Sequence, residues 1–198
     1  MSRTAQLSRK TGETHVEVSL DLDGGAPGKL ATGVGFFDHM LELLARHGRL
    51  GLGVSVRGDL GTGAHHTVED TGIVLGQALS QALGDRRGIR RYGHAVVPMD
   101  EARAACSIDI SGRPFCSSIG FERLPPGEIA GFEHEAAEEF FRAVASAARL
   151  TLHIELEAGT NAHHMIEACF KAFAHALRIA LAIDPEETGV PSTKGTLT

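Results

Sequence analysis

The chain has 198 residues, 42% of them hydrophobic, with a net charge of −6, three Cys and no Trp. That length suits one domain or two small ones with a packed core. The acidic balance excludes the basic face a nucleic-acid binder presents, and no apolar run of about 18 residues offers a transmembrane span. The polar opening Met1-Ser2-Arg3-Thr4-Ala5-Gln6-Leu7 lacks a signal-peptide core. Cys106, Cys116 and Cys169 form no CxxC pair and read as reduced thiols of a cytoplasmic protein, Cys169 as a packing residue.

In chain order, the alternation at 16–24 predicts a strand. Phe37, Met40, Leu41 and Leu44 then predict a helix, and 52–56 another strand. From His65 a run with Val68, Gly72, Leu75, Leu79 and Ala82 on one side predicts a helix stopped by Gly84-Asp85. The same series then repeats. The strand 104–112 matches 16–24, with Glu101 opposite Glu13. Phe140, Phe141, Val144 and Ala148 predict a helix, 152–156 a strand, and the run from His163 through Ile166, Phe170, Phe173, Leu177 and Leu181 a last helix stopped by Asp184-Pro185.

The expected fold is therefore α/β of α+β character. It has two pseudo-symmetric half-domains from an internal duplication, 1–91 and 92–198, with the seam near 90–93. Strands cluster before helices rather than alternating with them, so mixed or antiparallel sheets packed with helices are expected, not a parallel dinucleotide-binding sheet. No GxGxxG follows a strand. Neither half is expected to bury its hydrophobic face alone.

Each closing helix opens on the same pattern: His65-His66-Thr67-Val68-Glu69 and His163-His164-Met165-Ile166-Glu167. Helical residues three or four apart share a face, whereas neighbours diverge by about 100°. One carboxylate can thus chelate with one imidazole of its doublet, leaving the other free for a second ion. Two such motifs predict a two-metal site. The repeat adds His39 and, at the matching place in the second half, Glu139, with His134 a competitor and His153 a weaker one. With no thiolate near the motifs, this N/O donor set favours Mn, Fe or Mg-like ions over structural zinc. Basic residues gather at Arg86-Arg87-Gly88-Ile89-Arg90-Arg91, at Arg113 and in Pro191-Ser192-Thr193-Lys194-Gly195. Guanidinium forks and a Ser/Lys pair suit a phosphate dianion.

These stretches, together with Thr32-Gly33-Val34-Gly35-Phe36-Phe37-Asp38-His39-Met40-Leu41, Pro98-Met99-Asp100-Glu101-Ala102, Ser111-Gly112-Arg113-Pro114 and Phe170-Lys171-Ala172, run in order over almost the whole chain. In them the sequence resembles the imidazoleglycerol-phosphate dehydratases of histidine biosynthesis. The resemblance implies a cytoplasmic manganese lyase with two ions per active site, which converts imidazole glycerol phosphate to imidazole acetol phosphate and water. It also implies a cage-like homo-oligomer of twenty-four subunits with active sites at subunit interfaces. By motif position, the metal ligands would be His39, His65, His66, Glu69, Glu139, His163, His164 and Glu167. Many relatives carry His where this chain has Glu139. Arg91, Arg113, Ser192, Thr193 and Lys194 would contact the phosphate end of the substrate, with His39, His47 and Lys171 nearby. Glu13 would be the acid/base carboxylate, with His65 and Glu167 beside it in catalysis. A two-metal phosphohydrolase and a non-enzymatic metal-binding protein are the alternatives.

Overall fold

The computed structural model describes residues 2–197. Positions 1 and 198, which the half-domain bounds include, lie outside them. The first series is β1 (Thr4–Lys10), β2 (Thr14–Asp21), β3 (Leu30–Ala31), α1 (Gly35–Gly48), β4 (Gly51–Gly58) and α2 (His65–Leu83). The second is β5 (Tyr92–Met99), β6 (Ala102–Asp109), β7 (Phe115–Ile119), an inserted hairpin β8 (Glu128–Ile129) and β9 (Phe132–Glu133), then α3 (Ala136–Ala148), β10 (Thr151–Ala158) and α4 (Ala162–Leu181).

Each half makes a four-stranded sheet of the same order, β1-β2-β4-β3 and β5-β6-β10-β7. The pairings are antiparallel except β3 with β4 and β7 with β10, which are parallel across a helical connection. The sheets are thus mixed, as expected. Even the register repeats: Leu20 faces Leu52, and its counterpart Ile108 faces Leu152. The strands β1 and β3, and β5 and β7, lie at the edges of the two sheets.

Alternation puts Val16, Val18 and Leu20 of β2, and Ala104, Cys106 and Ile108 of β6, on buried faces. α2 covers the first of these sheets and α4 the second. The helices also cross between halves, α2 against α3 and α1 against α4. This explains why neither half carries a complete core of its own. At the α2–α3 crossing, Gly72 and Gly76 let the backbones close: a Cβ at Gly76 would lie 2.7 Å from the Val144 carbonyl oxygen, and one at Gly72 would lie 2.9 Å from that of Phe140. Phe37, Phe132, Phe140, Phe141, Phe170 and Phe173, all fully buried, join elements of both halves.

The two outer sheet faces differ. The first carries Gln6, Ser8, Glu17, Ser19 and Ser55, whereas on the second Tyr92, Val96, Phe115 and Ile119 stand 49–58% exposed. Cys106 and Cys169 are buried and Cys116 is half-buried, all three as free thiols. Burial pushes the Cys116 thiol up to about 11 and Cys169 higher, which favours the protonated thiol in both. Among the described residues, no helix is long and apolar enough to cross a membrane.

Candidate metal centre and phosphate cluster

Both doublets sit on the first turn of a helix, and the spacing acts as helical geometry requires. The rings of His65 and His66 stand at 81° to each other, and those of His163 and His164 at 83°. The first imidazole of each doublet meets the Glu one turn on: His163 Nε2 is 3.1 Å from Glu167 Oε2, and His65 Nε2 is 3.9 Å from Glu69 Oε2. The second imidazole turns away to other carboxylates. His164 Nδ1 donates to Glu101 at 2.8 Å, and His66 Nδ1 to Asp59 at 3.0 Å.

The α1–α4 crossing assembles a chelate from both halves. Asp38 starts α1 by accepting from the Thr32 N–H at 2.7 Å and from its hydroxyl at 2.6 Å, which fixes the turn that carries His39. His39 Nε2 then lies 3.5 Å from Glu167 Oε2. Asn161 caps α4 by accepting from the His163 and His164 N–H groups, and Phe36 packs edge-on against the His163 ring. His39, His163 and Glu167 place one donor atom each within 4.8 Å of one another, the one such group of three among the described residues. Two imidazole nitrogens and a carboxylate oxygen at this spacing fit a divalent ion of the manganese, iron or zinc kind. Lys171 Nζ takes the other oxygen, Oε1, at 2.6 Å. Burial works against ionisation of Glu167, but the Lys171 ammonium and the His163 bond outweigh it and hold the carboxyl below its ordinary value.

The other crossing carries the counterparts, His65 and Glu69 on α2 and Glu139 on α3. Glu139 accepts from Arg142 at 3.0 Å. His134 is buried under the 121–134 loop, its Nδ1 bonded to the Pro125 carbonyl at 2.6 Å, so it secures that loop. His153 stands on the outer sheet face against Phe115, on the opposite side of β10 from the helices. His47, at the far end of α1, packs beside His175; burial first, then His175 and Lys171, hold its pKa down and keep it neutral.

Glu13 sits at the tip of the β1–β2 hairpin, 3.9 Å from His66 Nε2. The hairpin is pinned to α2 by Asp70, which is buried, ion-paired to Arg9 at 2.5 Å and hydrogen-bonded by the Thr14 hydroxyl. Asp70 thereby sets where Glu13 stands.

The basic residues converge through one carboxylate. Asp109 takes Arg91 Nε at 2.7 Å and its Nη2 at 3.1 Å, and lies 4.0 Å from Arg113. The Asp109 bond raises the Arg91 pKa against the cost of burial. Arg91 Nη1 also donates to the Pro191 carbonyl at 2.8 Å, which draws in the turn holding Ser192, Thr193 and Lys194. The backbone on either side is tied down as well: the Arg91 N–H donates to the Ala180 carbonyl and the Gly88 N–H to the Gly189 carbonyl. Arg113 remains 66% exposed and free to take an anion.

Sequence reasoning missed Asp59, Glu133, Asp70 and the organising role of Asp109; the partners of Glu133 and Asp70 come from distant elements, and Asp59 meets His66 through a loop. Glu101 it placed only as the match of Glu13, and that match was the available signal.

Residues 32–177 match the family model described as imidazoleglycerol-phosphate dehydratase. A Jannaschia sp. protein of that name is 53% identical over 196 residues, spanning 98% of this chain and all of that one. One from Gluconacetobacter diazotrophicus is 54% identical over 198 residues, covering 99% of this chain and 98% of that one. Among solved structures, the Staphylococcus aureus imidazoleglycerol-phosphate dehydratase superposes with TM-score 0.82 at 43% identity, over 91% of this chain and 99% of that one. The Pyrococcus furiosus enzyme gives TM-score 0.82 at 35% identity, over 96% and 100%.

Proposed function

The chain belongs to the imidazoleglycerol-phosphate dehydratase family and is a dehydrating lyase, and on that premise we propose that it converts imidazole glycerol phosphate to imidazole acetol phosphate and water at a two-manganese site. The observation that carries this reading is the His39–His163–Glu167 chelate built across the two halves, and the repeat nominates His65, Glu69 and Glu139 as the second set. His39, His65, His66, Glu69, Glu139, His163, His164 and Glu167 would hold the ions. When bound, the metals supply Lewis-acid polarisation of the substrate's ring nitrogens and a template for its orientation.

The hydrogen to be removed is not next to a carbonyl, so the substrate's own imidazole must accept the electron pair. The chain's part is to hold that ring, anchor the far end and move the proton. Arg91, Arg113, Ser192, Thr193 and Lys194 bind the phosphate, which fixes the reacting carbon relative to Glu13. Glu13, on an exposed hairpin tip, takes the proton from carbon and returns one to the departing hydroxyl. His65 and Glu167 stand beside the reacting atoms. Lys171 neutralises Glu167, His39 completes the substrate-facing end of α1, and His47 supports the substrate from further along the same helix.

Support for assembly comes from exposure. His39, His65 and His163 are 43%, 54% and 42% exposed in the single chain, which leaves room for ligands from a neighbour. The apolar outer face of the second sheet is of the kind that subunits cover. We read the active sites as interfacial, in the twenty-four-subunit assembly of the family, within the cytoplasm, and 1–91 and 92–198 as the half-domains.

The test is to chelate the protein, confirm loss of activity, and restore it with manganese while following imidazole acetol phosphate. Failure of every divalent ion to restore turnover overturns the proposal, and release of inorganic phosphate replaces it with the phosphohydrolase reading.

A further inference from the structure

In both halves a carboxylate grips Nδ1 of the second imidazole of the doublet, but the repeat does not supply the same one. Glu101 Oε2 takes His164 Nδ1 at 2.8 Å, and Oε1 accepts the N–H groups of Thr160 and Asn161 at 3.1 and 2.8 Å. One residue thus orients the ring and steadies the entry to α4. Its repeat counterpart, Glu13, does neither task. It stands on the Nε2 side of His66, at 3.9 Å. The entry N–H of α2, on Ala64, goes to Glu133 of the inserted hairpin at 3.1 and 3.2 Å. Nδ1 of His66 goes to Asp59, which is itself held by the Thr62 hydroxyl at 3.0 Å.

We propose that Asp59 is a positioning residue for His66, doing there what Glu101 does for His164, and that this leaves Glu13 free for proton transfer. The inference rests on the reading above of His66 as a ligand and Glu13 as the acid/base. A carboxylate on Nδ1 places the ring proton there and turns the Nε2 lone pair outward, the arrangement that makes an imidazole a good ligand. Without Asp59, Glu13 draws the ring proton to Nε2, the nitrogen a metal would need. The same pairing would occupy the carboxylate that catalysis needs. Asp59 therefore separates two neighbouring tasks.

The test uses the full-length protein with manganese, measuring the number of ions bound and their affinity by equilibrium dialysis, the paramagnetic resonance spectrum of bound Mn(II), and kcat and KM. Asp59→Asn is expected to weaken one ion by about 10–100-fold, with Asp59→Glu recovering much of it and Glu13→Gln binding both ions as the parent does. Parental affinity in Asp59→Asn overturns the proposal, as does an equal loss in both Asp59 variants, which would mark a fold defect. His66→Ala separates the two layers. If it keeps both ions, the ligand reading falls and the proposal with it. If it loses one while Asp59→Asn does not, only the role of Asp59 falls.

Discussion

The two halves share strand order and register, yet differ wherever a loop approaches the ligands. From β3 to α1 the first half uses only residues 32–34, whereas from β7 to α3 the second uses 120–135. That longer loop carries Glu133, which caps a helix of the other half. The antiparallel pairing in the second half is also bulged between Leu156 and Ala158, beside the Glu101 turn, while the first half stays regular through Thr14 and Gly58. The lesson is that a duplicated scaffold keeps its core and specialises its rims. Equal positions then carry unequal jobs.

The largest expected break in the symmetry is between Glu13 and Glu101. Glu13→Gln should lower kcat by about 10²–10⁴-fold, the usual worth of a positioned proton-transfer group, and leave KM and manganese content near parental values. Glu101→Gln should instead weaken metal binding by about 10–100-fold. Steady-state kinetics with metal analysis of both variants checks this, and equal behaviour would erase the distinction.

Next comes the phosphate cluster, which only the second half and its seam supply. Arg113→Ala removes an exposed charge-assisted donor worth about 1.5–3 kcal/mol, so KM should rise about 10–100-fold while the fold is untouched. An unchanged KM for substrate would place the phosphate elsewhere.

The helix crossings offer a third contrast. Gly76 of α2 lies against the Val144 backbone, while the matching position of α4 is Ala174, fully buried. Gly76→Ala should cost about 1–3 kcal/mol by overpacking, read as a lower midpoint in thermal unfolding. Ala174→Gly should cost about 1 kcal/mol through helix propensity.

The smallest effect is in acid. The bonds from His164 and from the Asn161 and Thr160 N–H groups hold the Glu101 carboxyl down to about 2 from its ordinary 4.5. A carboxyl whose folded pKa is depressed stabilises above its unfolded value and loses that contribution as pH falls through the folded one. Parent and Glu101→Gln should therefore differ in stability above about pH 4.5 and converge towards pH 2, measured by denaturation of the metal-free protein across that range.

Much of this was legible in the sequence because helices and their first turns obey local periodicity. The doublets, their i+4 carboxylates, the matched strands and the mixed sheets follow from the sequence pattern, though the strands run Thr14–Asp21 and Ala102–Asp109, each beginning two residues and ending three residues ahead of the expected 16–24 and 104–112. What stayed hidden depends on loops and on contacts between elements. Asp59 meets His66 through a loop with no pattern, Glu133 reaches Ala64 from the other half, and Asp109 reads as one more strand residue until Arg91 and Arg113 close on it. β3, at two residues, is too short to show any alternation. His134 has the chemistry of a ligand, but it faces the Pro125 carbonyl because its loop folds inward.

The exchange of helices between halves has a consequence for ancestry. A half-length chain with these elements would leave its helices uncovered unless it met a second copy, packing first helix on second about a two-fold axis. Fusion through residues 84–91 converts that encounter into an internal one, at an effective concentration on the order of millimolar. A pairing once at risk of dilution becomes permanent, and each copy is then free to mutate without breaking its twin.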